Sequence, residues 1–237
     1  MLVFRFYLRE YTLVLKHRLF NFLFSFFFLT LLISSTANAA TTAPASASTT
    51  TLTPVGQVII TEGTVTDMDI NKHIRPIARG DKFYNGDTLI TAAESKVQVR
   101  YTDGTVLALD ADTQFKVTNY HYQEANQPDK NFAVLIKGGF RALTGLISKN
   151  NPAAYQVDTT VAAIAVRGTS FGASYRNGKL FIGVWKGLIV IENSAGSLLL
   201  GANQNYDYAV VTAADSSPVG LLSQPNELAG HCLETPG

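Results

Sequence analysis

The sequence has a single cysteine, Cys232, among 237 residues. No disulfide can therefore form within one chain, although a lone thiol in an oxidising compartment can link two chains into a Cys232-bridged dimer or stay free. Charged residues make up 16% of the chain, and the formal net charge is +1. A nearly neutral chain without a long basic block argues against a protein that binds nucleic acid by neutralising phosphates.

Motifs for chemistry are also scarce. After residue 39 the only histidines are His73, His121 and His231, and no nucleophile elbow, H-E-x-x-H motif or paired Cys/His spacing occurs. A nucleophilic enzyme needs a serine or cysteine beside a positioned histidine, and a zinc site needs grouped ligands. We therefore predict a protein that is not an enzyme and has no catalytic residues, cofactor or metal site.

Acidic residues leave two alternatives open. The pairs Asp67/Asp69 and Asp110/Asp112 have the spacing of carboxylates that bind Ca²⁺, although aspartates in such segments more often cap turns. Two carboxyl groups could also catalyse the hydrolysis of a glycoside if they lay at the correct distance from each other. The sequence does not show that distance.

The N-terminus is typical of an export signal. A basic segment precedes the apolar stretch Leu19–Ile33, and small residues follow at Ala37 and Ala39. This order predicts a signal peptide over residues 1–39, cleaved after Ala39, and a periplasmic protein, with secretion or association with the outer envelope as alternatives. An uncleaved signal would be the protein's only contact with the membrane, but a 15-residue helix spans roughly 22 Å of a ~30 Å hydrocarbon core.

The rest of the chain divides by composition. Residues 40–54 are rich in Thr, Ala, Ser and Pro and predict a flexible linker. Residues 55–213 contain short runs of Val, Ile, Thr, Tyr and Phe separated by Gly, Asn and Asp, without a helical stripe. That pattern predicts an all-β domain, followed by a C-terminal tail over residues 214–237.

Two turns refine the architecture. Asn177-Gly178 favours a type I′ hairpin, since both residues tolerate positive φ. Pairing outward from this turn joins six apolar residues: Tyr175 with Leu180, Ala173 with Ile182, and Phe171 with Val184. A two-residue hairpin at Asp103-Gly104 would instead put Asp110 on an apolar face beside Val97, so we predict a corner between layers there. A corner favours a β-solenoid (β-helix-like) or a rolled β-sheet.

Four motifs occur in order along the domain. They are Gly86–Thr91, Asp103–Thr105, Val166–Phe171 and Val184–Val190, and together with their surroundings they resemble the FecR family over about residues 55–211. The resemblance implies a periplasmic β-helical or rolled domain. The family's namesakes are transmembrane regulators that pass a signal from an outer-membrane transporter to a cytoplasmic sigma factor.

This sequence departs from those regulators. Only 18 residues precede the apolar stretch, and little follows Val211, so we expect neither the cytoplasmic anti-sigma domain nor the small secretin-like domain of the signallers. Thr160 also stands where the family usually has proline. We therefore predict a stand-alone exported FecR module and do not carry sigma-factor regulation over to it.

These observations favour a non-catalytic binding or scaffold module of the envelope. The alternative is a component of transmembrane signalling that acts with separately encoded sigma-factor and transporter partners. The partner would be an envelope protein or polysaccharide. Candidate binding residues are Arg167, Thr169 and Trp185.

Two of these candidates have more than one interpretation. A guanidinium such as that of Arg167 can bond several corner carbonyls, so we expect a structural role for it before a ligand-binding one. Trp185 either lines a surface for sugar or peptide with Tyr175, Tyr206 and Tyr208, or packs in the core or at a sheet edge.

Overall fold

A computed structural model describes residues 52–229, apart from the side chain of Thr169. The predicted signal peptide, its cleavage site after Ala39, most of the linker and Cys232 lie outside the described residues. Within residues 52–229 the fold is all-β, with one short α-helix, as the sequence predicts. No helix in this range has the length and apolar character needed to cross a membrane.

The described strands run in chain order as follows: β1 Gly56–Glu62, β2 Val65–Met68, β3 Ile74–Pro76, β4 Lys82–Phe83, β5 Thr88–Thr91, β6 Lys96–Tyr101, β7 Val106–Leu109, β8 Gln114–His121, β9 Lys130–Leu143, β10 Tyr155–Asp158, β11 Ala163–Arg176, β12 Lys179–Asn193, β13 Gly196–Gly201, β14 Tyr208–Val211 and β15 Val219–Leu221. The helix α1 spans Leu146–Asn150, and 3₁₀ turns occur at Pro152–Ala154 and Asn226–Leu228.

Three long strands organise the sheet, and each changes its partner part-way along. The first part of β9 pairs with β8 and β10, and from Gly138 onwards β9 pairs with β7 and β11. Gly138 has φ +90°, and a Cβ on it would lie 2.4 Å from the Cα of Thr113. Only glycine fits there, because any side chain would meet backbone as well as a left-handed conformation.

The other long strands change partners at glycines too. β11 leaves β10 for β9 across Gly168, where Gly168 and Thr169 oppose the single residue Gly187. β12 pairs with β14 before Gly187 and with β13 after it. Gly168 and Gly187 both have positive φ. Such bulges bend a strand and let it pass from one sheet layer to another.

The pairing therefore describes two layers joined by β9, β11 and β12. The first layer has the order β4-β1-β6-β7-β9-β11-β12-β14-β15, and the second β3-β2-β5-β8-β9-β10-β11-β12-β13. All described pairs are antiparallel except β9 with β10. This pairing differs from that of a β-helix, in which successive coils stack as parallel strands.

Aromatic side chains fill the space between the layers. Phe140 on β9 packs edge-on against Phe115 of β8 and Phe171 of β11, with ring centroids 5.3 Å and 5.4 Å apart. Phe171 also meets Tyr155 of β10 at 6.2 Å. All four side chains are buried. Edge-to-face pairs of this kind add to the free energy gained by burying the rings.

The hairpin at Asn177-Gly178 has the predicted register. Tyr175 pairs with Leu180, Ala173 with Ile182 and Phe171 with Val184. Both turn residues have positive φ.

The prediction for Asp103-Gly104 was wrong. The chain forms a hairpin there, but its loop has three residues, because Tyr101 N–H donates to Thr105 O at 2.8 Å. The extra residue sets Val97 opposite Leu109 and Val99 opposite Leu107. The longer loop therefore moves Asp110 off the apolar face. The presence of Asp110 on that face was our reason for excluding a hairpin.

Two described elements lie in the segment that we predicted as a C-terminal tail. β15 pairs with β14, and the side chain of Leu228 is buried. Residues 219–228 thus pack on the first layer.

Candidate binding surface

A row of residues crosses the outer face of the first layer. Arg141 pairs with Gly172, Gly172 with Gly183, and Gly183 with Tyr208. The residues next to these along each strand, such as Phe140, Phe171 and Ile182, are buried between the layers. Because side chains alternate along a strand, the row faces away from the core.

The two central glycines make room for aromatic rings. A Cβ on Gly172 would lie 3.2 Å from the ring of Trp185 and 2.8 Å from the carbonyl oxygen of Phe140. A Cβ on Gly183 would lie 3.0 Å from the ring of Tyr208. The rings of Trp185 and Tyr208 therefore contact the sheet backbone at these glycines, where larger residues would displace them.

A cation and two aromatic rings meet on this surface. The guanidinium carbon of Arg141 lies 4.1 Å from the ring centroid of Trp185, and Trp185 meets Tyr208 edge-on at 6.5 Å. Arg141, Trp185 and Tyr208 are each half-buried. A guanidinium over an indole is a favourable cation–π contact that fixes the position of both groups. We call Arg141, Gly172, Gly183, Trp185 and Tyr208 the Arg–Trp surface.

Of the tyrosines predicted to accompany Trp185, Tyr208 alone joins the Arg–Trp surface. Tyr206 packs beside Gly220, and Tyr175 receives a hydrogen bond from the hydroxyl of Thr160. The sequence interpretation missed Arg141, which lies between the motifs that carried the family resemblance. Its alternation with the buried Phe140 is the signal that places it on the outer face.

Arg167 and Thr169 lie at the bulge of β11. Arg167 is exposed. Its structural role, like its role in binding, stays a prediction. The side chain of Thr169 is not described, so its role stays a prediction.

One of the two acidic pairs considered for Ca²⁺, Asp67 with Asp69, has other partners. Asp67 is buried, and its Oδ2 accepts a hydrogen bond of 2.7 Å from Nη2 of Arg75. Asp69 instead caps a turn, accepting from the N–H groups of Asn71 and His73 at 2.8 Å. In residues 52–229 no group of three or more His, Cys, Asp or Glu side chains could hold a metal ion.

A second carboxyl group, that of Asp87, lies beside Asp67. Asp87 is 4% exposed, and its Oδ2 accepts from the N–H of Tyr84 at 2.8 Å. Burial, together with the neighbouring carboxylate of Asp67, raises the pKa of Asp87 to about 7. Burial also raises the pKa of Asp67, and the hydrogen bond from Arg75 opposes this rise.

Residues 87–190 match the family described as "FecR protein". A FecR domain is thus found at residues 87–190, which are less than half of the chain. Two crystal structures of a proposed anti-sigma factor from Parabacteroides distasonis ATCC 8503 are similar to it, at 18% and 19% identity with TM-scores of 0.43 and 0.44. Each similarity covers 56% of this chain and 57% of the other, so the chain spans little more than half of those structures.

A structure described as a cell surface anchoring domain is similar over 32% of this chain and 99% of its own length, at 25% identity and a TM-score of 0.28. No curated protein matches the chain.

The Asp-Gly-Thr motif of the FecR domain holds the start of α1. The buried carboxylate of Asp103 accepts from the N–H and the hydroxyl of Thr105, both at 3.0 Å, and from the N–H of Ile147 at 3.4 Å. The N–H of Asp103 in turn donates to the hydroxyl of Tyr120 at 2.8 Å. The Asp103 carboxyl group thus ties its own hairpin to the start of α1, so this motif is structural.

The Arg-Gly-Thr motif of the FecR domain meets the same helix. Gly168 N–H donates to the hydroxyl of Ser148 at 3.1 Å, and Ser148 donates to the hydroxyl of Thr144 at 2.9 Å. The helix α1 thus links the Asp103 hairpin to the bulge of β11. These packing contacts explain the Asp-Gly-Thr and Arg-Gly-Thr motifs. The Arg–Trp surface therefore remains the candidate for binding.

Proposed function

We propose that this chain is a non-catalytic binding module of the bacterial cell envelope, exported to the periplasm. The observation that carries the proposal is the contact of Arg141 with Trp185 on the outer face of the FecR domain. A guanidinium held in place on an indole is a forked hydrogen-bond donor, suited to the hydroxyls of a sugar or the carbonyls of a peptide. We class the domain as a rolled sheet, folded over where β9, β11 and β12 bend.

The rigidity of the Arg–Trp surface supports binding. The two rings rest on the backbone at Gly172 and Gly183, and the strands beneath pair on both sides. A surface that is already ordered loses little conformational entropy when a ligand binds. The export signal predicted over residues 1–39 supports the location.

A retention experiment tests the proposal. Immobilised full chain is exposed to an envelope extract, and the retained material is analysed for protein and for sugar. We expect a component that is retained by the wild type and lost with Arg141→Gln and with Trp185→Leu. Arg100→Gln, which neutralises an exposed arginine on β6, is the matched control and should retain it. Equal retention by all variants, or retention of cytoplasmic proteins alone, would contradict the proposal.

Envelope signalling is the second candidate function, and the FecR match over residues 87–190 favours it. In this role the domain would act with a separately encoded transporter and sigma-factor regulator. Crosslinking in intact cells tests it: a crosslink from the Arg–Trp surface to an outer-membrane transporter or to a membrane-bound regulator supports signalling. Crosslinks to polysaccharide alone would favour the scaffold function.

A further inference from the structure

Three cations lie around the bulge of β11, next to the Arg–Trp surface. Lys186 pairs with Ser170, Arg167 precedes the bulge, and a Cβ on Gly168 would lie 3.9 Å from Cγ of Lys149. All three cations are exposed. Within residues 52–229 none of them takes part in an ion pair.

Two large apolar side chains are exposed at the same place. Leu143 of β9 pairs with Ser170, so that Leu143, Ser170 and Lys186 form one row across three strands. Leu146 begins α1, one turn before Lys149. Leu143 is 45% exposed and Leu146 44%. We call Leu143, Leu146, Lys149, Arg167 and Lys186 the bulge surface.

The positive charge of the bulge surface is a local excess. Between residues 52 and 229 the chain has 15 basic and 16 acidic side chains, so the domain as a whole is nearly neutral. Asp103 contacts this surface through the N–H groups of Leu146 and Ile147, but its carboxylate is buried and accepts three hydrogen bonds. The three exposed cations therefore give the surface a local positive charge.

We propose that the bulge surface docks on an anionic lipid bilayer, with the leucines in the headgroup region and the cations against lipid phosphates. Basic residues around a few exposed apolar side chains are typical of proteins that lie on a membrane surface. An added peptide strand fits less well, because β11 is hydrogen-bonded to β9 and to β12 on its two sides and offers no free edge. The docking surface is separate from the Arg–Trp contact of the proposed function.

Vesicle binding by the full chain tests this inference. The probes are vesicles of phosphatidylcholine alone and of phosphatidylcholine mixed equally with phosphatidylglycerol, and sedimentation measures the bound fraction. The apolar stretch of residues 19–33 can insert into either kind of vesicle. The bound fraction of each variant is therefore compared with that of the wild type, always as the full chain. Trp185 is the only tryptophan in the chain, and its emission reports a change next to Lys186.

The test variant combines Lys149→Gln, Arg167→Gln and Lys186→Gln. We expect its binding to mixed vesicles to fall by roughly a hundredfold at low salt, since each cation near an anionic surface contributes about a factor of five. The control combines Arg79→Gln, Lys96→Gln and Arg100→Gln, which removes the same charge from exposed positions elsewhere. It should lose much less.

Further variants separate lipid docking from general adhesion and from binding to an acidic protein. Leu143→Gln with Leu146→Gln should weaken binding to mixed vesicles and leave a smaller, salt-sensitive remainder. Equal losses in both charge variants would overturn the inference, and so would wild-type binding that is the same with neutral and with anionic vesicles. Binding of the wild type to an acidic peptide such as polyglutamate, without a charge-dependent response to vesicles, would assign the surface to a protein partner and overturn it as well. Melting temperatures identify any variant that fails to fold.

Discussion

Asp87 and Asp67 lie side by side in the interior of the domain, and the guanidinium of Arg75 forms a hydrogen bond with Asp67. Two carboxyl groups beside one cation cannot both ionise at low cost. The pair therefore keeps one proton up to near-neutral pH, and the pKa of Asp87 is about 7.

Asp87→Asn should change how stability depends on pH. The pKa of Asp87 is raised from 3.8 to about 7 in the folded state, so the folded protein binds the extra proton. The stability from this group is fully present below 3.8 and is lost as the pH rises through about 7. The loss is on the order of a few kcal/mol. Asn mimics the protonated carboxyl, so the variant should gain stability relative to the wild type across this window.

Urea unfolding at a series of pH values measures this gain. Asp215→Asn, which removes an exposed carboxylate, is the control and should follow the wild type. A constant difference between Asp87→Asn and the wild type from acid to alkaline pH would show that Asp87 does not retain its proton.

Gly138→Ala should destabilise the domain by more than about 3 kcal/mol. The substitution puts a side chain at φ +90° and within 2.4 Å of the Cα of Thr113. Gly104→Ala is the matched control, since Gly104 has φ +85° but nothing within 4 Å of the new Cβ. It should cost only about 1–2 kcal/mol, from backbone strain alone. Similar unfolding midpoints for the two variants would contradict the close contact at Thr113.

Asp103→Asn should loosen the start of α1. The change replaces one of the two carboxyl oxygens that accept these three hydrogen bonds by an NH₂ group, which cannot accept, at a cost of about 1–3 kcal/mol. Amide hydrogen exchange should speed up in residues 145–150 before it does so in the core strands. Thr105→Ser keeps the hydroxyl that donates to Asp103 and should exchange like the wild type. Uniformly faster exchange across the domain would mean that the carboxylate supports the whole fold and not α1.

Gly172→Ala should displace the ring of Trp185. The new methyl group would lie 3.2 Å from that ring and 2.8 Å from the carbonyl oxygen of Phe140, which is held in the sheet. The ring is the movable partner, so it should leave Arg141 and become more exposed. A red shift of tryptophan emission measures this movement. Ser170→Ala, on the same face of β11, should leave the spectrum unchanged, and an unshifted spectrum in Gly172→Ala would place the ring elsewhere.

The sequence predicts strand content well and one of its two turns correctly, because both depend on near neighbours. Asn177-Gly178 fixes a register that every flanking residue supports. Asp103-Gly104 fails because the two-residue loop assumed for it is one residue too short. Testing a three-residue loop with Gly104 at positive φ would have put Leu107 and Leu109 on the apolar face.

The candidate site is less predictable, since its members come from separate strands. Trp185 and Tyr208 stand out by residue type, but Arg141 reaches them only through the pairing of β9, β11, β12 and β14. Asp67 illustrates the same limit. Its spacing to Asp69 suggested Ca²⁺, whereas its actual neighbours are Arg75 and Asp87, which the β2, β3 and β5 pairing places beside it.

The three bent strands have a mechanical consequence. Because β9, β11 and β12 each belong to both layers, neither layer can melt or swing away while the other stays intact. Tension applied to one layer passes through covalent backbone into the other, and the domain should unfold in a single cooperative step. We expect such a domain to behave as a rigid body when a ligand binds to its surface. Binding would then fix the position of the domain and would not change its conformation.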